Sequence, residues 1–264
     1  MTTACTVSGP YIDKEIAPQT ALEAVEKGQW TNVPTIFGCT QDEGTDFVPK
    51  SLNSTDEIKM VLKSIVPSLS ASSLQLLVDI YVNNASEPVF PGAGKYWRNA
   101  ANIYGEIGFE CVDRLFQLAI SKQKGKTWKY RYGVKDPERE ATGEGTSHGT
   151  EKYAVWGVNN TDDNPPKSYL TTNAGILPVV QRYWISFINH LDPNKGRLEG
   201  TAKWPTWDEE KRRIGFVADE GKGWAVLEQM DYEKDRRCRI IEPLMRAVAN
   251  PPPEGQETVL VWLD

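Results

Sequence analysis

The stretch Val33-Pro-Thr-Ile-Phe-Gly-Cys39-Thr-Gln-Asp-Glu43-Gly-Thr-Asp-Phe47 decides the architecture of this chain. Its first half is short, apolar and β-branched, and Thr-Gln-Asp-Glu-Gly follows it, so it predicts a buried strand ending in a turn. Pro34 fits at the first residues of that strand, where a missing N–H is tolerated. Further along, Thr127 to Val134 alternates strictly, with Trp128, Tyr130, Tyr132 and Val134 on one face and Lys129 and Arg131 on the other. Period two predicts a second strand, with one wet face. Ile214 to Val217 and Trp224 to Leu227, joined by Ala-Asp-Glu-Gly-Lys-Gly, predict a β-hairpin.

Helical patterns fill the spaces between. Pro18 to Lys27 predicts a short helix closed by Gly28. Ser54-Thr-Asp-Glu57 is a capping box that opens a helix through Ile65, stopped by Pro67, and a second follows over Ser72 to Val82. From Tyr96 to Ser121, Ile107, Cys111, Leu115 and Leu118 recur on one side of a long helix. Ile176 to Asn189 and Tyr232 to Val248 complete the set, the latter distorted at Pro243. Residues 135–145 read as a charged loop, and Lys203 to Trp207 as an aromatic loop that packs. Strands alternating with helices indicate an α/β fold.

Composition narrows the functions. A net charge of −6 and a pI near 5.2 argue against a nucleic-acid or anionic-lipid surface. The basic clusters at Lys211 to Arg213 and Lys234 to Arg239 have acids among or beside them and read as solvated helix faces. No apolar run is long enough to span a membrane. Four cysteines (Cys5, Cys39, Cys111, Cys238) lack metal-ligand spacing, so neither metal nor cofactor is expected. The first residues lack a basic n-region and an apolar h-region, which argues against a signal peptide. Sequons at Asn53, Asn84 and Asn159 are candidate N-glycosylation sites and point outward, so the compartment is left open.

One of only two histidines, His148, lies in Thr142-Gly-Glu-Gly-Thr-Ser-His148-Gly-Thr-Glu151-Lys-Tyr-Ala-Val-Trp156-Gly157, a run of small and polar residues followed by an aromatic patch suited to burial. An imidazole is the usual proton shuttle of hydrolytic chemistry. Standing alone, it is no more than a loop histidine.

The order of these features resembles the type-B carboxylesterase/lipase (cholinesterase-like) family of the α/β-hydrolase fold, closest in type to its fungal members. Asp42-Glu43-Gly44-Thr45-Asp46-Phe47 is similar to the family's acid motif, and His148 to Gly157 to its histidine motif. Trp204, Pro205 and Trp207 match a third motif. The resemblance implies Glu43 and His148 as acid and base of a Ser-Glu-His triad, and a disulfide between Cys111 and Cys238. It implies the C-terminal half of the fold: a partial sheet, flanking helices and a terminal β-hairpin. Residues 1–250 would form the partial domain and 251–264 a Pro-rich tail that reads as a linker, whose apolar run Val259 to Leu263 has no assigned place. Full-length relatives are typically secreted. Asp42 is the competing acid, read as a turn or cap residue.

The nucleophile is absent from this sequence. No G-x-S-x-G on a strand–turn–helix elbow precedes Glu43, where the family's chain order would put it, and no glycine-rich oxyanion loop precedes Glu43 either. Acid and histidine alone lose covalent catalysis and an oxyanion hole worth about 3–4 kcal/mol per donor. The chain is therefore expected to be inactive alone, taking a carboxylic ester only if the missing half is supplied, and to expose the edge of its first strand. Two alternatives stand beside this. One is a non-catalytic, cholinesterase-like interaction protein, which has little reason to keep both motifs. The other is a hydrolase using Ser147 or Cys39, although Cys39 is more simply a buried thiol.

Overall fold

A computed structural model of the chain describes residues 12–13, 15–83, 87–207 and 212–262, with Cys5 and Asn84 outside them. Helix α1 (Ala21–Glu26) leads into β1 (Thr35–Thr40), followed by α2 (Thr55–Ile65), α3 (Ala71–Val78), α4 (Trp97–Gly105) and α5 (Cys111–Lys122). Then come β2 (Thr127–Tyr132), α6 (Pro137–Thr142), α7 (Lys152–Trp156), α8 (Ile176–His190), the hairpin β3 (Arg212–Asp219) and β4 (Lys222–Gln229), and α9 (Tyr232–Ala249). The sheet order is β1-β2-β3-β4, parallel except for the antiparallel β3–β4 pair. Among the described residues β1 is paired on one side only.

Several element ends are set by side chains that the pattern underweighted. Helix α1 begins at Ala21 rather than Pro18, because Thr20 and Glu23 form a reciprocal capping box. The long helix is interrupted by a π turn at Glu106–Glu110 between α4 and α5, and α3 likewise runs into a π turn at Asp79–Asn83. The supposed loop 135–145 contains α6. Asp136 caps it by accepting from Glu138 and Arg139 N–H at 3.1 Å, Pro137 starts it, and Gly143 ends it at φ 76°.

One face of β2 and β3 (Trp128, Tyr130, Tyr132, Ile214, Phe216) packs with α7, α8 and Trp204 in a single aromatic core. Tyr130 and Tyr183 each meet Trp204 edge-on, at 6.4 and 5.4 Å between centroids. A second core joins α2–α5 to α9 and to Trp207, and the disulfide Cys111–Cys238 ties α5 to α9 within it, with Cα atoms 5.1 Å apart. The two motif tryptophans of the aromatic loop are thus packing residues, Trp204 at 1% and Trp207 at 5% exposure.

The wet face expected for β2 is not there. Lys129 is fully buried, 3.7 Å from Asp113 on α5 and beneath the Trp207 ring at 5.8 Å. A central parallel strand is covered on both sides by its crossover helices, and here the alternation marks a charged buried face rather than a solvated one. Conversely, Trp156 of the predicted aromatic patch is 68% exposed, whereas Tyr153 is buried. The tail read as a linker is docked: Thr258 bridges to Leu69 as a parallel pair, and the Leu260 N–H donates to Ser73 Oγ at 2.8 Å. Leu260 is buried between these elements, which places part of the unassigned apolar run. Among the described residues no helix is long and apolar enough to cross a membrane. Asn53 and Asn159 are both exposed.

Candidate active site

The carboxyl end of β1 delivers Asp42 and Glu43 into a tight 3-10 turn, Glu43–Asp46. This turn presses against α4 so closely that a Cβ on Gly44 would lie 1.9 Å from the Ala101 carbonyl oxygen, which is why only glycine follows the glutamate. Glu43 is buried, and its two oxygens are both used. Oε1 accepts the Thr40 N–H at 2.6 Å, and Oε2 lies 2.5 Å from Nδ1 of His148. The His148 side chain remains 48% exposed. A carboxylate on Nδ1 selects the Nδ1–H tautomer and leaves Nε2 as the basic nitrogen.

Asp42 holds the histidine loop to the strand. Its N–H donates to the Thr146 carbonyl at 3.0 Å, and its Oδ2 accepts the Thr146 N–H at 2.9 Å. Its Oδ1 pairs with Arg98 Nη2 of α4 at 2.7 Å. Gly145 sits at φ +61°, and a Cβ there would run into Asp42 Oδ2 at 2.3 Å. Thr45 Oγ1 donates to the carbonyls of Asp42 and Glu144, closing the same junction. Asp42 is therefore an anchor for the loop carrying His148, a role its position in a turn did not reveal.

Aromatic side chains flank the imidazole. Phe47 meets His148 edge-on at 5.1 Å, Phe109 lies tilted against His148 at 5.0 Å, and Phe47 stacks on Tyr104 at 5.2 Å. Phe109 reaches the site because it lies in the π turn, off the apolar stripe of α5, and no sequence pattern marked it. Glu151, three residues past His148, is a second, partly buried carboxylate. Burial raises its pKa, the Glu43 charge adds to this, and its Oε2 has no hydrogen-bond partner. Its presence was legible in the His-Gly-Thr-Glu run.

Behind Glu43 a cleft of about 410 Å³ is lined by ion pairs. Arg237 clasps Glu106 at 2.6 Å, Arg131 pairs with Glu228, and Glu110 meets Arg213 at 3.0 Å and Lys234 at 2.9 Å. Against the desolvation that burial imposes, Lys234, Arg213 and Lys129 hold the Glu110 carboxyl well below the usual carboxylate range. The two alternative nucleophiles are poorly placed. Ser147 is fully buried with its hydroxyl bonded to Arg139, and Cys39 is a buried free thiol whose pKa burial raises. Among the described residues no group of His, Cys, Asp and Glu could hold a metal ion.

A parallel-stranded α/β sheet with a carboxylate–imidazole pair beyond the end of its first strand defines the class of this molecule. The chain belongs to the carboxylesterase family, whose sequence profile matches residues 2–237. It is 28% identical over 224 residues to a secreted triacylglycerol lipase of Gibberella zeae, covering 78% of this chain and 34% of that protein. It is likewise 28% identical over 214 residues to Lipase 2 of Geotrichum candidum, covering 78% and 34%. EstA of Aspergillus niger shares the fold, with a TM-score of 0.81 at 24% identity over 91% of this chain and 45% of that one. A PNB esterase structure matches with a TM-score of 0.62 at 20% identity, over 87% and 42%. The chain thus spans about a third of the length of the curated relatives it matches. Its sheet is the partial sheet of an α/β-hydrolase.

Proposed function

We propose that this chain contributes the acid and base of a serine ester hydrolase, with Glu43 and His148 completing a triad whose serine and oxyanion donors come from outside it. The observation that carries the reading is the 2.5 Å contact between buried Glu43 Oε2 and His148 Nδ1. In this role Nε2 of His148 takes the proton of a serine hydroxyl as it attacks an ester carbonyl and returns it to the leaving alcohol. Glu43 stabilises the imidazolium formed in between. Phe47 and Phe109 flank that imidazole and hold its ring in place. Carboxylic esters are the substrate class, in keeping with the lipase relatives.

The G-x-S-x-G match at Gly145 to Gly149 lies in the histidine loop rather than on a strand-to-helix elbow, and its Ser147 is buried and held by Arg139; with the burial of Cys39, this supports inactivity of this chain by itself. A fluorophosphonate probe followed by peptide mapping tests this. No serine of the isolated chain is expected to react. Stoichiometric labelling at any serine would overturn the incomplete-triad reading.

A further inference from the structure

At the opposite end of the sheet lies a larger cleft, about 810 Å³, that the ester chemistry does not use. Its wall includes Pro34 and Lys126, which immediately precede β1 and β2, and Lys195 and Lys203 from the segment after α8. It therefore opens at the amino ends of the parallel strands, whereas Glu43 and His148 sit beyond the carboxyl end of β1.

The hydrogen-bonding character of this cleft is one-sided. The side chains of Lys126, Lys195 and Lys203 make no ion pair or hydrogen bond among the described residues, in a protein whose net charge is −6. Trp128, which contributes to the same wall, is 3% exposed, and its Nε1–H has no acceptor. The one carboxylate in the wall, Asp192, is occupied: its Oδ1 accepts from the Asn194 N–H at 2.8 Å and from Asn194 Nδ2 at 3.0 Å. The Trp128 N–H and the three ammonium groups are donors left without a partner among the described residues, and Arg212 adds a fourth cation to the wall. Between them lie apolar surfaces of Trp128, Trp204, Leu191 and Leu227. A cavity of this size suits a small organic molecule, and an unpartnered N–H in the same wall as a cluster of solvated cations favours one that carries an anionic acceptor.

We propose that this cleft binds an amphiphilic organic anion, a carboxylate or sulfonate carrying an aromatic or alkyl body. The head is held by Lys126, Lys195 and Lys203, and the body lies against Trp128 and Leu227. The proposal is independent of the triad reading, since neither Glu43 nor His148 takes part.

The chain's two histidines make the test direct, because His190 lines this cleft and His148 belongs to the other site. Imidazole proton resonances of the full chain are followed by NMR while naphthalenesulfonate is added, with His190→Gln used only for assignment. The His190 signal is expected to shift saturably while that of His148 stays in place. Neutral naphthalenemethanol and inorganic phosphate at the same concentrations should not reproduce the shift. The triple substitution Lys126→Gln, Lys195→Gln, Lys203→Gln should weaken the sulfonate by at least about tenfold, and Trp128→Phe by a few-fold. An unmoved His190, equal shifts at both histidines, equal binding of the neutral alcohol or of phosphate, or unchanged affinity in the triple variant would each overturn it.

Discussion

Two clefts of one sheet treat charge in opposite ways. In the smaller, behind Glu43, cations and carboxylates are matched: Arg237 with Glu106, Arg131 with Glu228, and Arg213 and Lys234 with Glu110. In the larger, at the amino ends of the strands, three lysines form no ion pair among the described residues. The difference follows from burial. Glu110, Arg213 and Lys129 are almost wholly removed from water, where an unmatched charge costs several kcal/mol. Lys126, Lys195 and Lys203 keep their solvation and tolerate having no partner. Matching therefore marks where the protein is held together, and mismatch marks where it has capacity left for a ligand.

The largest break in that contrast is expected from Glu110→Gln, which leaves Arg213, Lys234 and Lys129 facing one another across a neutral amide. A loss of about 3–5 kcal/mol in urea unfolding is predicted. Next comes Asp113, which burial raises to about 6, with Lys129 opposing and Glu110 and Glu43 adding to the shift. Its folded pKa lies above its unfolded value of 3.8, so the folded state binds the extra proton between those two values. Stability from this group falls as pH rises from about 4 to about 6 and is level above that. Asp113→Asn should remove that falling component, roughly 1–3 kcal/mol, from the pH–stability curve. An unchanged slope would show that Asp113 titrates normally.

How much of this was legible in the sequence differs between strand and site. The strands themselves, the hairpin and the capping box at Ser54 follow from local rules, since each depends on residues a few positions apart. Helix α6 was equally local, with Asp136, Pro137 and Gly143 all in place, but its charged surface disguised it. The wet face assigned to Lys129 failed because alternation reports two chemically different faces, not which of them meets water; the partners of Lys129 come from α5 and from Trp207. At the site, Glu43 and His148 stood out by motif, whereas Asp42 gained its role from Arg98 and Thr146, far off in sequence. Phe109 was hidden because a π turn rotates it away from the face that periodicity assigns.

Smaller effects sharpen the same comparison. Asp42→Asn removes the charge that holds Arg98 and weakens the clasp on Thr146, for about 1–2 kcal/mol of stability and a broadened His148 resonance. At the other cleft, the triple lysine-to-glutamine variant should change unfolding free energy by no more than about 0.5 kcal/mol per position, although its anion affinity collapses. A large stability loss there would mean that those ammonium groups are matched after all.

The central claim is that Glu43 presets the imidazole of His148 for a serine supplied from elsewhere. Long-range proton–nitrogen NMR of the two imidazoles tests it most directly, with no activity required. In its neutral form His148 should carry its proton on Nδ1, and Glu43→Ala should release it to the Nε2–H form common in water. A His148 that shows the Nε2–H tautomer in the unsubstituted chain, or that keeps Nδ1–H without Glu43, would contradict the account.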